Sequence, residues 1–147
     1  MTLQNLAKIG QLKPHKATAE EVARLLAAVR RNLADAQVKG ISDETRFDCG
    51  YKAVMQCALI AMMASGYRPS TSAPGHHQTM LQSLPLTLGV SNDLWIVLDA
   101  LRKKRNQNDY TGMPLAAAEA QEAVDRAKEL LVTLQAYLRV QHPGLLK

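Results

Sequence analysis

Apolar residues recur at helical spacing along most of the chain, and no segment alternates with a period of two. The first clear stripe is Val22, Leu25, Leu26, Val29, Leu33 and Ala36. It opens behind Thr18, an N-cap residue with Glu21 three positions on, the pairing of a capping box; Glu20 adds charge that favours a helix start. Arg24, Arg30 and Arg31 fall mostly away from the stripe, and Gly40 is expected to end the helix. A second helix is expected from a Ser42 cap, with Asp43 and Glu44 in its first turn, to Gly66. Its later half is apolar nearly all round, which places it at the centre of a bundle. Gly50, Ala53, Cys57 and Ala61 form a ridge of small residues along it, open to close approach by another helix.

Beyond Gly66 the segment YRPSTSAPGHHQ reads as a loop. A short helix is expected over His77 to Leu88, bent near Pro85, followed by a turn over Gly89 to Asn92. Ser91 or Asn92 caps the next helix, which breaks between Tyr110 and Pro114. Pro114 suits the first turn of a last helix, expected from Leu115 to Val140 and stopped by Pro143 and Gly144. Residues 1–17 read as a short helix or ordered arm leading to Pro14, with Leu3, Leu6 and Ile9 as a narrow stripe. The sum is an all-α chain: an N-terminal arm, 1–17, and one domain, 18–147. Within the domain four main antiparallel helices, with short ones between, make an up-down bundle.

Composition narrows the partners. The 147 residues are 47% hydrophobic and 21% charged, enough for one domain with a proper core. Aromatics are only 4%, which argues against readers of single-stranded nucleic acid that work by aromatic stacking. A net charge of +5 suits a polyanionic partner without demanding one. Cys49 and Cys57 share one helix about 12 Å apart, too far for a disulfide, and read as small core residues in a reducing compartment. No Cys or His spacing matches a metal site, and no cofactor is implied. The start lacks the apolar core of a signal peptide. The longest apolar stretch, Ala53 to Ala64, is interrupted by Gln56 and too short to span a bilayer, so a cytoplasmic protein with no membrane contact is expected.

The candidate chemistry lies in LWIVLDALRKKRNQNDY, Leu94 to Tyr110. Leu94, Leu98 and Leu101 form a stripe, and Arg105 falls on it, where a core residue belongs. A buried, unpaired guanidinium is very costly. Arg105 therefore needs an acidic partner, a wet groove against another subunit, or an anion. Asp109 is its i,i+4 neighbour, and Asp48 or Glu44 could serve from the second helix, where Arg46 and Asp48 could share an ion-pair network. Arg102, Lys103 and Lys104 complement the negative end of the helix dipole. His76 and His77 follow Pro-Gly and could complete a composite site if their loop folds over the helix end. Met55, Met62 and Met63 read as core, and Trp95 as half-buried.

Three pieces in order carry a resemblance: TRFDCGYKAVMQCALIAMMASGYRP, GHHQTMLQSL and LRKKRNQNDYTG. Over residues 18–140 the chain resembles the HEPN family of small helical-bundle proteins. The last piece is similar to the Arg-x-x-x-Asp-Tyr form of the family signature. The resemblance implies a homodimer with a cleft between paired signature helices. In active members it implies metal-independent RNA cleavage, with the 2′-hydroxyl attacking the adjacent phosphate. Toxins of toxin–antitoxin modules and defence proteins belong to the family, and other members are inactive binding modules; the alternative expected for this chain is such an inactive module, binding a nucleotidyltransferase-like antitoxin or a nucleotide. Carried over, Arg105 binds the phosphate, Asn106 and Asp109 hold it in place, and Tyr110 contacts RNA. Arg102, Lys103 and Lys104 would add to RNA binding, and His77 is the candidate acid or base. The departure is the signature histidine: none follows Arg105 until His142.

Overall fold

The computed structural model describes residues 1–73 and 75–147; Pro74, inside the expected loop, lies outside the described residues. The order is α1 (Leu3–Lys8), β1 (Leu12–Pro14), α2 (Ala19–Asp35), α3 (Asp43–Ala64), β2 (Tyr67–Pro69), α4 (His76–Gln82), α5 (Leu84–Thr87), α6 (Asn92–Thr111), α7 (Ala117–Gln141) and a closing 3₁₀ turn, Pro143–Leu146. The fold is all-α apart from one small ladder.

The caps form as the residue types dictate. Thr18 Oγ1 accepts from the Glu21 N–H at 3.1 Å, and Glu21 accepts from the Thr18 N–H at 3.0 Å. Ser42 and Ser91 cap α3 and α6 through their hydroxyls. α2 stops at Asp35, short of Gly40, because the chain tightens into i→i+3 bonds from Gln37 to Ala34 and from Val38 to Asp35. Gly40, with φ +88°, belongs to the turn that follows. α7 starts later than expected. The Leu115 N–H donates to Glu44 at 3.3 Å and the Leu115 side chain is buried, so Pro114 and Leu115 stay outside the helix. Glu119 then accepts from the Ala116 N–H at 3.0 Å.

α3 is the central element, and Phe47, Ile60, Met62 and Val54 on it are fully buried. α2 runs antiparallel to it: Ala36 meets Arg46, and Asn32 meets Gln56. α7 runs parallel to it: Glu44 meets Leu115, Gly50 meets Ala123 and Val124, and Ser65 meets Tyr137. Small residues draw α3 and α7 into close contact. Gly50, Ala53, Cys57 and Ala61 on α3 face Ala120, Ala123 and Ala127 on α7, all of them buried.

The N-terminal arm shares this core through Leu6 and Leu12. The ladder was not expected. Leu12 pairs with Pro69, Lys13 with Arg68 and Pro14 with Tyr67, antiparallel. Three-residue strands are too short to show a period of two, which is why the pattern did not announce them. The expected bent helix is split at Ser83 into α4 and α5. Among the described residues no helix is long and apolar enough to cross a membrane.

Candidate functional site

One face of α3 carries Asp48, Tyr51, Lys52, Met55, Gln56 and Leu59, a stripe at helical spacing. With His77 and Met80 from α4 and Arg105 from α6 it lines a groove of about 470 Å³, within the range of roughly 300–1,000 Å³ usual for ligand clefts. The groove exists because α6 leaves the core at its C-terminal half. Leu98 and Leu101 are buried, whereas Arg105, one turn on, emerges with 36% of its side chain exposed.

Tyr51 joins the two wall residues. It is buried, with its ring parallel to that of Phe47 at 6.4 Å. Its hydroxyl lies 3.1 Å from His77 Nδ1. The Arg105 guanidinium sits over its face, 5.1 Å from the ring centroid, a cation–π contact. Burial pushes the Tyr51 hydroxyl above its usual range, with Arg105 opposing, so it stays protonated at neutral pH. Burial also holds His77 below the ordinary imidazole value, and the charges of His76, Arg105 and Arg102 act in the same direction. His77 is therefore neutral at pH 7, and its Nε2 carries a lone pair in the tautomer whose Nδ1–H donates to the Tyr51 oxygen. Asp48 is at the rim. Desolvation raises its carboxyl, Arg105 opposes, and Asp109 and Glu44 add to the rise.

The arm helps to place α4. Gly75, with φ +74°, starts that helix where a side chain would be strained. Thr79 then donates to Gln11 Oε1 at 3.2 Å, and the Gln11 carbonyl accepts from the Ser70 N–H at 3.0 Å. These bonds hold the helix that presents His77.

Of the residues singled out from the sequence, Arg105 and His77 share the groove. Asp109 lies outside it and pairs with Arg105 at 3.7 Å. Tyr110 is 87% exposed, beyond the groove. Asn106 is half-buried and does not line it. Each basic neighbour has an acid. Arg102 Nε donates to the buried Asp99 at 2.6 Å, Lys103 reaches the same carboxylate at 3.7 Å, and Lys104 meets Glu119 at 3.0 Å. Arg46 pairs with Asp43 at 3.2 Å rather than joining Asp48. Among the described residues no group of three or more His, Cys, Asp or Glu side chains could hold a metal ion.

Tyr51, Lys52 and Gln56 were missed as site residues. Their signal was present: with Asp48 they make a polar stripe, i, i+3, i+4, i+8, that runs into the otherwise apolar later half of the helix. Comparison with family models, curated proteins and solved structures finds no match to this chain.

Proposed function

We propose that this chain is a HEPN-like, RNA-directed protein of the toxin–antitoxin or defence type, acting as a metal-independent ribonuclease. The observation that carries this is the convergence of His77 and Arg105 on one groove through Tyr51. α6 has no histidine of its own, and His77 from α4 stands in its place.

The chemistry follows from the groups present. Cleavage without metal needs a base for the 2′-hydroxyl and positive charge on the phosphate. Neutral His77 takes the 2′-hydroxyl proton. The oxygen attacks the adjacent phosphorus, a 2′,3′-cyclic phosphate forms, and the 5′ oxygen leaves with a proton from water. Arg105 neutralises the phosphorane charge, with Lys52 at the rim. Tyr51 fixes the imidazole and the guanidinium relative to each other. In the homodimer two such grooves approach each other across the α6 faces.

One observation favours a second reading. Asp109 already pairs with Arg105, as in a helix that needs no anion. A non-catalytic module that binds an antitoxin protein or a nucleotide would show the same pair.

The test is cleavage of a mixed RNA pool in EDTA by wild type, Arg105→Ala and His77→Ala. The proposal expects products ending in cyclic phosphate, lost in both variants. Equal cleavage by all three would overturn the site. A folded wild type that cleaves nothing, yet co-purifies with a protein partner, would establish the second reading.

A further inference from the structure

The groove is chemically two-ended. Asp48, Tyr51, Lys52, His77 and Arg105 make a polar end, and Met55, Leu59 and Met80 make an apolar one. We propose that the apolar end seats one nucleobase of the RNA, next to a phosphate held at Arg105. This inference rests on the phosphodiester reading of the site and adds a subsite that the cleavage chemistry does not require.

The spacing supports it. Tyr51 and Met55 are one helical turn apart, and Leu59 follows after another, so the two ends are separated by about 6–12 Å along α3. That is the scale on which a ribose joins a phosphate to its base. The groove volume of about 470 Å³ has room for one nucleotide unit.

The lining fits a base in particular. Met55 and Met80 are buried at its floor and Leu59 is half-buried beside them. Thioether side chains are polarisable and make favourable contacts with flat rings, so the subsite needs no aromatic platform in a chain that is poor in them. Gln56 stands at the edge, its Oε1 accepting from Asn32 Nδ2 at 2.8 Å. The bond ties down one end of the amide and leaves N–H donors for an acceptor on the base. An apolar groove end beside a cation, bounded by a tethered amide, matches a nucleotide better than a lipid tail or a bare phosphate.

The experiment uses a 2′-O-methyl trinucleotide, which lacks the attacking hydroxyl, and its fully abasic counterpart. Both are titrated into wild type, Arg105→Ala, Leu59→Ser and the milder Leu59→Ala. Circular dichroism and the sedimentation state are checked for each variant. Wild type should bind the base-bearing ligand about tenfold or more tighter than the abasic one, the scale of removing one base face from water. The Leu59 variants should narrow that ratio towards unity, and Arg105→Ala should weaken both ligands by a similar factor. Equal binding of the two ligands by wild type, still weakened by Arg105→Ala, would overturn the base subsite while the phosphate reading stands. No binding of either ligand by folded wild type would overturn both. A Leu59 variant that changes the oligomeric state and keeps the base preference would assign the apolar end to a contact between copies and overturn the subsite.

Discussion

Replacing Gly50 by alanine tests the parallel contact of α3 and α7, which sets the position of every groove residue on α3. A Cβ at this position would stand 2.7 Å from the Ala123 carbonyl carbon and 2.7 Å from the Val124 nitrogen, with the Ala123 oxygen at 3.0 Å. Ordinary contact begins near 3.4 Å, so α7 would have to retreat by about 0.7 Å, the difference between 3.4 and 2.7. The atoms in the way are backbone atoms inside a 25-residue helix and cannot rotate aside. Overpacking of this kind costs about 1–3 kcal/mol, and the rigid neighbours put Gly50 at the upper end. Alanine recovers about 1 kcal/mol through its better helix propensity. The net loss is about 2 kcal/mol. For a chain of this length each kcal/mol lowers Tm by roughly 2–4 °C, so a fall of about 4–8 °C is expected. Thermal unfolding by circular dichroism, at matched protein concentration, measures it. An unchanged or raised Tm would refute the reasoning, because the propensity gain would then have met no clash.

Three further outcomes are expected. Burial holds His77 below its ordinary value, so the folded chain binds this proton less readily than the unfolded one. Its contribution is fully present above the unfolded value, about 6.5, and is lost as pH falls below it. Between pH 7.5 and 5 the Tm of wild type should therefore drop more than that of His77→Gln; parallel curves would contradict the burial account. Asp99→Ala leaves Arg102 and Lys103 without their shared carboxylate. Arg102 retains some access to water, so the loss should be about 1–3 kcal/mol rather than the full cost of an orphaned buried charge, and denaturant unfolding would show no shift in midpoint if the pair is idle. Tyr110→Ala should leave the unfolding free energy within about 0.5 kcal/mol of wild type, since the ring is 87% exposed. If Tyr110 contacts RNA, affinity for a 2′-O-methyl oligonucleotide falls; unchanged affinity removes it from the site.

The helices were legible because their signals are local. A Thr18–Glu21 box, Ser caps and the 3.6-residue stripes act within a few positions of each other. The small-residue ridge on α3 was legible for the same reason, and α7 packs into it. What stayed hidden depends on distant pairing. The ladder joins Leu12 to Pro69 across most of the first half of the chain. Tyr51 meets His77 across 26 positions, and only the folded chain shows that these two and Arg105 converge. Arg105 itself was conspicuous on an apolar stripe. Its environment was not, because the stripe leaves the core between Leu101 and Arg105, and a periodic pattern carries no mark of where the neighbouring helix ends.

A double-mutant cycle on Arg105 and His77 tests the central claim, that both act on one phosphodiester. The rates of RNA cleavage in EDTA by wild type, Arg105→Ala, His77→Ala and the double variant give the coupling. Residues working as one unit are strongly non-additive, so the double variant should be hardly slower than the worse single variant. Losses that multiply would place Arg105 and His77 in independent roles and contradict the shared site.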